Sequence, residues 1–335
     1  MTTVFISHPQ GKLNQYFGER ATRALQRIAN VRFNPDDTDL DSVQLATLAS
    51  GCDVIISYRQ TAGNKALFTA LPDLKAFVRC AIDIRNIDLS AASRHGILVT
   101  QASAGFIASV SEWIVGVMID LSRNISSSVG QYRAGHEAPP EMGRELRGST
   151  LGVIGYGQIG RYFCQLALAF GVNVVVHDPY ATVDEQGIRS LGLDELLGQS
   201  DFIVCLAAAT DATENFIDDR AFEKMKQGAY FINASRGNLV DETALIAALD
   251  AGRLAGCAVD VGRAPDQMPS PHVAAHSKVI ATPHIGGLTL PAIEHQAMET
   301  VAQVAELIQG RVPRGPVNAH QAFRWHEAFT APSPR

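Results

Sequence analysis

The sequence predicts an α/β protein with two domains, each built on a sheet of parallel strands. Its 335 residues suffice for about two domains, at roughly 150 residues each. Short apolar runs of strand length alternate with helix-like periods over the first hundred residues, and the alternation starts again near residue 150. Strands that are separated by helices pair in parallel, with helices on both faces of the sheet.

The first hundred residues form the first alternating series. Strands are predicted at Thr3–Ser7, Val31–Phe33, Val54–Ser57, Ala76–Arg79 and Ile97–Val99. Apolar residues recur at spacings of three and four from Leu13 to Ile28, which predicts one amphipathic helix. Further helices are predicted near Val43–Leu48, Lys65–Leu71 and Leu89–Arg94.

A long helix separates the two series, because apolar residues form a broad face over Gly105–Ile125. A loop with Pro139 and Pro140 follows this helix. The second series has strands at Thr150–Ile154, Asn173–His177, Phe202–Leu206, Tyr230–Asn233, Cys257–Asp260 and Val279–Thr282. A last helix is expected over about Pro291–Gln309, and the tail Thr330–Arg335 is expected to be frayed.

The composition excludes several classes of protein. The formal net charge is −6, from 28 Lys and Arg against 34 Asp and Glu, and the charges are spread along the chain. A protein that binds nucleic acid or an anionic membrane would carry a basic face instead. The longest stretch without Asp, Glu, Lys or Arg is the 17 residues His95–Ser111, whereas a spanning helix needs about 20 apolar residues. We therefore expect no nucleic-acid partner and no membrane segment.

The N-terminus and the cysteines favour a cytoplasmic protein. Residues 1–7 have no basic flank and no apolar stretch of signal-peptide length. The cysteines are odd in number and form neither a CxxC pair nor a metal-ligand spacing with histidine, so no metal site is predicted. We expect all of them to be small core residues in a reducing compartment. They are Cys52, Cys80, Cys164, Cys205 and Cys257.

A glycine motif at the start of the second series predicts a dinucleotide site. Gly155, Gly157 and Gly160 follow an apolar strand and open a helix. In such a motif the first glycine allows a tight turn, the second lets the backbone approach a pyrophosphate, and the third lets the helix pack close to the strand. The next strand ends at Asp178, whose carboxylate can bind both ribose hydroxyls and would repel a 2′-phosphate. NAD is therefore the predicted cofactor. The alternative is a tight turn without a ligand, with Asp178 as a surface cap.

Three polar residues near strand ends suit hydride transfer to a carbonyl group. Arg236 follows the strand that ends at Asn233, and a guanidinium there can bind a carboxylate through two parallel hydrogen bonds. Asp260 ends the next strand. His284 comes just after the last strand, and histidine is the usual proton donor to a carbonyl oxygen near neutral pH. The alternatives are a capping or surface arginine and a structural histidine.

Together these motifs resemble the D-2-hydroxyacid dehydrogenase family. The resemblance rests on Gly155–Gly160 with Asp178, on Asn233–Glu242, on Ala258–Val261 and on Thr282–Gly287. It implies two Rossmann-like or flavodoxin-like domains, with a nucleotide domain (residues 103–287) inserted into a substrate domain (residues 1–102 and 288–335). It also implies an active site between the domains, a homodimer, and a 2-oxo acid or D-2-hydroxy acid as the substrate.

The resemblance also assigns roles to individual residues. Arg236 would bind the carboxylate and the carbonyl of the substrate, His284 would be the acid/base, and Asp260 would contact the nicotinamide amide. The residues implied to bind the cofactor are Gly155, Gly157, Gln158, Ile159, Gly160, Asp178, Ala234, Asp260, Gly286 and Gly287. The residues implied to bind the substrate are Ala81, Ile82, Arg236 and His284.

The sequence departs from the family at the partner of the histidine. The family places a glutamate five residues after the aspartate that matches Asp260, and Pro265 stands here instead. We hypothesise that the next residue, Asp266, pairs with His284 and so completes the catalytic set.

Two further departures concern the substrate loop and the long helix. Ala81 and Asp83 stand where glycines are usual, and Asp83 would repel a bound carboxylate unless Arg85 neutralises it. Arg85 and Arg59 are additional candidates for anion contacts. Trp113 replaces a histidine that is common in the family, and we expect it to pack rather than to take part in chemistry.

The sequence thus predicts an oxidoreductase that transfers hydride between NAD(H) and a 2-oxo acid/D-2-hydroxy acid pair. Two alternatives stay open. One is oxidation of another small anion, such as formate or phosphite, on the same scaffold. The other is an NAD(H)-sensing, corepressor-like protein with vestigial catalysis, which the missing glutamate favours and the presence of Arg236 and His284 opposes.

Overall fold

The computed structural model describes residues 1–330, so the expected fraying beyond residue 330 lies outside the described residues. The chain divides into two compact units. The first comprises Met1–Gly105 and the chain from Leu290 onward, and the second comprises Phe106–Thr289. No helix within the described residues is long and apolar enough to cross a membrane.

The first unit contains a five-stranded sheet whose strands all run parallel, in the order β2-β1-β3-β4-β5. Its strands are β1 (Thr3–Ile6), β2 (Asn30–Phe33), β3 (Val54–Ser57), β4 (Ala76–Arg79) and β5 (Leu98–Gln101). Its first five helices are α1 (Gln10–Tyr16), α2 (Gly18–Gln26), α3 (Ser42–Leu48), α4 (Lys65–Ala70) and α5 (Leu89–Arg94).

One predicted helix of this unit is two helices. The apolar spacing from Leu13 to Ile28 predicted a continuous helix, and this prediction was wrong. The chain breaks between α1 and α2, where Gly18 takes a φ of 84°. Glycine adopts such a left-handed conformation without the steric cost that other residues carry. The same apolar face continues on both sides of the break, with Phe17, Ala21 and Leu25 buried.

The second unit contains a seven-stranded sheet, also entirely parallel, in the order β12-β11-β10-β9-β6-β7-β8. Its strands are β6 (Thr150–Ile154), β7 (Asn173–His177), β8 (Ile188–Ser190), β9 (Phe202–Cys205), β10 (Ala229–Asn233), β11 (Leu254–Val259) and β12 (Val279–Ala281). Its helices are α6 (Ile107–Arg123), α7 (Ile125–Arg133), α8 (Gln158–Ala169), α9 (Leu193–Gln199), α10 (Asp219–Lys224), α11 (Glu242–Asp250) and α12 (Pro271–Ala274).

Two elements of this unit were not predicted. The long helix ends at Arg123 because Asn124 takes a left-handed φ of 54°, and α7 begins directly after it. The edge strand β8 has only three residues, of which Ile188 alone is buried, so it carries no apolar period.

Both faces of the second sheet are buried, as helices on both sides require. Alternate residues of one strand point to opposite cores: Val175 belongs to one apolar cluster, and Val174 and Val176 belong to another. All five cysteines are buried and free, which agrees with their predicted place in the core. The sequence-based prediction of two parallel α/β sheets is thus confirmed.

The C-terminal helices α13 (Leu290–Ile308) and α14 (Phe323–Trp325) belong to the first unit. Helix α13 packs against α2 and β4. Val304, Leu307 and Trp325 are fully buried in the same cluster as the apolar residues of β1 and β3.

Candidate functional site

The strands of the second sheet end side by side. The pairing register joins Ile154 to His177 and to Cys205, Cys205 to Asn233, Asn233 to Val259, and Val259 to Ala281. The carboxyl ends of these six strands therefore form one edge. The chain leaves β6 toward β7 on one side and returns to β9 on the other, and ligands bind at such a switch point in open parallel sheets.

The glycine loop after β6 has the shape that a pyrophosphate needs. Gly155 has a φ of 100°, and a Cβ there would lie 2.5 Å from the carbonyl oxygen of Leu206. A Cβ at Gly160 would lie 2.3 Å from the carbonyl oxygen of Gly155, so helix and loop touch closely. By contrast, a Cβ at Gly157 would meet no atom within 4 Å. The backbone is thus open where an anion would approach.

The start of α8 supplies donors for that anion. Gly157 is the N-cap residue and provides no side-chain cap, so the first N–H groups of this helix are not satisfied by a capping side chain. Gln158 is exposed and Ile159 is half-buried in this first turn. The free N–H groups and the helix dipole both favour a phosphate group at this position. The residues present therefore fit the predicted dinucleotide.

Asp178 joins the end of β7 to the glycine loop. Its Oδ2 accepts a hydrogen bond from the backbone N–H of Tyr156 at 2.7 Å, and its Oδ1 accepts one from Tyr180 at 2.9 Å. Each carboxylate oxygen can accept a second bond, so the group can still receive the two hydroxyls of a ribose. The carboxylate is bonded to Tyr156, the residue next to Gly157, so it lies beside the glycine loop, where the ribose of a bound NAD would be expected.

A cluster that sequence reasoning missed supports the same loop. The hydroxyl of Tyr156 donates to Glu185 at 2.5 Å, and Arg161 bonds Glu185 at 3.1 Å while its guanidinium lies 4.5 Å from the Tyr156 ring centre. Burial and the bond to Glu185 raise the pKa of Tyr156, so its hydroxyl keeps its proton. No spacing in the sequence links these three residues.

The turn after β10 fixes the main chain around Arg236. The Asn233 side chain accepts from the N–H of Ser235 at 3.1 Å and donates to the carbonyl of Arg236 at 2.9 Å. The hydroxyl of Ser235 donates to the carbonyl of Ala207 at 2.6 Å. The half-buried Arg236 donates from Nη1 to the carbonyl of Ser235 at 2.7 Å. Its five N–H donors can bind a carboxylate in a fork.

Asp260 is buried and holds the loop that carries His284. Its Oδ1 accepts from the hydroxyl of Thr282 at 2.6 Å and from the N–H of Ile285 at 2.8 Å, and its Oδ2 accepts from the N–H of Gly286 at 2.7 Å. A Cβ at Gly286 would lie 2.8 Å from Oδ2, so this approach requires glycine. The Trp113 side chain lies 3.7 Å from the same Cβ position.

His284 lies within hydrogen-bond distance of Asp266, through the main chain of that residue. The sequence-based hypothesis paired the imidazole with the Asp266 carboxylate. In the structure, Nδ1 of His284 lies 2.9 Å from the carbonyl oxygen of Asp266. A carbonyl oxygen only accepts hydrogen bonds, so Nδ1 carries the hydrogen, and Nε2 is the nitrogen that can exchange a proton with a ligand.

In the first unit, the loop after β4 carries Ala81, Ile82 and Asp83. Asp83 forms an ion pair with Arg85, with Nη2 to Oδ2 at 2.7 Å and Nε to Oδ1 at 3.0 Å. This pair neutralises the carboxylate, which was the condition for an anion to bind here, and the hydrogen bond raises the pKa of Arg85. Ala81 is half-buried and Ile82 is 36% exposed.

Two buried basic residues, His8 and Arg79, lie at the carboxyl ends of β1 and β4. Arg79 is fully buried and donates to the carbonyls of Tyr58 and Thr61 and to the side chain of Asn86. Burial lowers the pKa of Arg79 to about 10, so it stays charged at neutral pH. His8 lies between the rings of Phe17 and Tyr58. Burial, and then the charge of Arg79, lower its pKa to about 3. The sequence analysis did not single out His8.

The chain is similar to known proteins in sequence and in fold. Residues 115–286 match the sequence model described as D-isomer specific 2-hydroxyacid dehydrogenase, NAD binding domain. The chain is 31% identical over 319 residues to D-3-phosphoglycerate dehydrogenase 2, chloroplastic, of Arabidopsis thaliana, and the match covers 94% of this chain and 51% of the relative. The chain thus spans about half the length of the curated relatives that it matches.

Solved structures with the same fold match nearly end to end. A D-2-hydroxyisocaproate dehydrogenase superimposes with a TM-score of 0.83 at 25% identity, covering 95% of this chain and 100% of the other. The D-lactate dehydrogenase of Escherichia coli gives the same TM-score and coverage at 24% identity, a likeness that concerns the fold. The matched domain is an NAD-binding domain, so NAD is the cofactor that these similarities indicate.

Proposed function

Because the chain belongs to the family of D-isomer specific 2-hydroxyacid dehydrogenases, we propose that it transfers a hydride between NAD(H) and a 2-oxo acid/D-2-hydroxy acid pair. One observation carries the proposal. The in-register strand ends of the second sheet bring the glycine loop, the Arg236 turn and the His284 loop to a single edge. A cofactor pocket beside an anion-binding cation and a proton donor is what this reaction needs.

The second unit would hold the cofactor. The backbone around Gly157, Gln158 and Ile159 would bind the pyrophosphate, and Asp178 would bind the adenine-side ribose. When bound, NAD(H) supplies or accepts the hydride. Ala234, Asp260, Gly286 and Gly287 would line the nicotinamide side, where the ends of β10, β11 and β12 lie next to each other.

The substrate would be held by charge and oriented for proton transfer. Arg236 would bind the carboxylate in a fork and polarise the neighbouring carbonyl. In reduction, Nε2 of His284 gives its proton to the carbonyl oxygen, and in oxidation it takes the hydroxyl proton. In the first unit, the main-chain N–H groups of Ala81 and Ile82 would bind the substrate, and the Asp83–Arg85 pair leaves their loop without a net negative charge.

We propose that the two units have different roles. We infer that residues 1–102 and 288–335 form the substrate domain and that residues 103–287 form the nucleotide domain. We also propose a homodimer in the cytoplasm. The resemblance supports the dimer, and the five free, buried cysteines are what a reducing compartment allows. Light scattering on the purified protein tests the dimer.

The test of the function is NADH consumption with a panel of 2-oxo acids, from glyoxylate and hydroxypyruvate to branched and aryl acids. Arg236→Ala and His284→Gln are the controls, with NADPH in parallel. We expect turnover with NADH that both substitutions lower by at least about 100-fold. Tight NADH binding without turnover of any 2-oxo acid would favour an NAD(H) sensor instead. NAD reduction by formate or phosphite would favour oxidation of another small anion.

A further inference from the structure

The ring of His284 is held by a main-chain group. Its Nδ1 lies 2.9 Å from the carbonyl oxygen of Asp266, so the bond does not require the carboxylate of that residue. A hydrogen bond at one ring nitrogen fixes the tautomer and the orientation of the imidazole. The sequence offers no glutamate at the position where the family has one, because Pro265 stands there.

The direction of that carbonyl is fixed by an unusual loop conformation. Asp266 has φ 58° and ψ 22°, and Gln267 has a φ of 57°. Two successive left-handed residues without glycine are uncommon, since each carries a steric cost. The loop is closed by hydrogen bonds from Gly262 N–H to the Gln267 carbonyl at 2.8 Å and from Ala264 N–H to the Met268 carbonyl at 3.0 Å. The backbone is thus held in a conformation that aims the Asp266 carbonyl at the histidine.

We propose that the main-chain carbonyl of Asp266 orients His284 and sets its tautomer, so that the left-handed turn at Asp266 and Gln267 does the work of a carboxylate partner. The inference rests on the proposed function for the role of His284 in proton transfer, and Asp266 is a positioning residue through its backbone. The buried carboxylate of Asp260 bonds the loop that carries His284, and it accepts hydrogen bonds from Thr282, Ile285 and Gly286 and not from the imidazole.

A matched pair of substitutions at Gln267 tests the backbone part. Gln267→Gly accepts a φ of 57° and keeps the carbonyl in place. Gln267→Pro fixes φ near −65°, far from the 57° of this turn, so the turn cannot form and the carbonyl turns away. We expect kcat to stay within about 2-fold in the glycine variant and to fall about 10- to 100-fold in the proline variant. The KM for NADH should change by less than about 3-fold in both, because the cofactor loop is untouched.

Asp266→Asn keeps the main-chain carbonyl and removes the carboxylate, so it shows which of the two groups holds the imidazole. The readout is the imidazole ¹⁵N spectrum of histidine-labelled protein, with the His284 signals identified by their loss in His284→Gln. We expect neutral His284 to carry its proton on Nδ1 in both the wild type and Asp266→Asn, and the acid midpoint of the kcat/KM profile to stay where it is. A proton on Nε2 in the wild type, or a tautomer or midpoint that changes in Asp266→Asn, would overturn the proposal.

These measurements also separate the two levels of inference. The spectrum needs no turnover, so it reports on the hydrogen bond even if no 2-oxo acid is reduced. Absence of turnover together with the Nδ1–H tautomer would refute the proposed function and leave the positioning intact. Turnover together with an Nε2–H tautomer would refute the positioning alone. If Gln267→Pro does not fold, judged by thermal unfolding, the Asp266→Asn spectrum still decides.

Discussion

Replacing Asp260 by asparagine tests whether one buried carboxylate holds the loop that carries His284. The carboxylate accepts three hydrogen bonds, two at Oδ1 and one at Oδ2. Asparagine has a single oxygen. With that oxygen at the Oδ1 position, the amide NH₂ faces the N–H of Gly286, and a buried donor loses its acceptor. This loss costs about 1–3 kcal/mol, and the two remaining bonds weaken by about 1 kcal/mol because they are no longer charge-assisted. We expect a total of about 2–4 kcal/mol.

The cost should appear in the loop and in catalysis together. Urea unfolding measures the global free energy, and hydrogen exchange of the Ile285 and Gly286 amides measures local opening. A displacement of His284 by about 1 Å would lower kcat by about 100-fold. The matched control is Asp241→Asn, because Thr243 and Ala244 both donate to Oδ1 of that helix cap, which asparagine can replace. If Asp260→Asn unfolds within about 0.5 kcal/mol of the wild type and its loop amides exchange as slowly, the carboxylate does not hold the loop.

Three further predictions concern the glycine loop, cofactor choice and acid stability. Gly160→Ala should lower the free energy of unfolding by about 1–3 kcal/mol, since its Cβ would lie 2.3 Å from a carbonyl oxygen. Gly157→Ala should leave thermal unfolding unchanged and raise the KM for NADH, and equal stability losses in both variants would contradict the assigned roles. Asp178→Ala should lower kcat/KM for NADH by about 10- to 100-fold and bring the NADPH value closer to it, whereas an unchanged ratio would refute ribose binding. For His8, the folded pKa of about 3 lies below its ordinary value of 6.5. The contribution of the neutral imidazole to the free energy of unfolding is therefore fully present above pH 6.5, and it falls by about 1.4 kcal/mol per pH unit as the pH drops toward 3. His8→Gln should make the acid limb of urea-derived stability shallower by that slope, and an unchanged limb would mean that His8 is protonated in the folded protein.

The sequence predicted the strands well because burial on both faces gives each strand a continuous apolar run, such as Val54–Ser57. It failed where a single backbone angle decides. The break at Gly18 and the end of α6 at Asn124 both depend on a positive φ within an otherwise helical apolar pattern. The strand β8 was missed because two of its three residues are exposed.

In the candidate site, the sequence predicted the functional residues but not their hydrogen-bond partners. Motif spacing predicted which residues follow the strand ends, and the register of a parallel sheet brings Gly155, Asp178 and Asp260 to one edge. The partners of these residues are mostly backbone groups. The bond from His284 reaches the carbonyl of Asp266, eighteen residues away. Every residue has a main-chain carbonyl, so the path of the loop decides which one bonds the histidine. A pattern of side chains in the sequence does not predict it.

The distribution of backbone strain points to the same edge. Five non-glycine residues in the described chain have a positive φ, and three of them are Asp266, Gln267 and His284. Each such residue costs about 1–2 kcal/mol unless its surroundings hold it. The His284 loop is held by the three bonds to Asp260, and the Asp266 loop by its own backbone bonds. On the proposal that these conformations hold the imidazole, the Gln267→Gly variant should be more stable than the wild type, because glycine carries no steric cost at this φ, while the histidine keeps its tautomer.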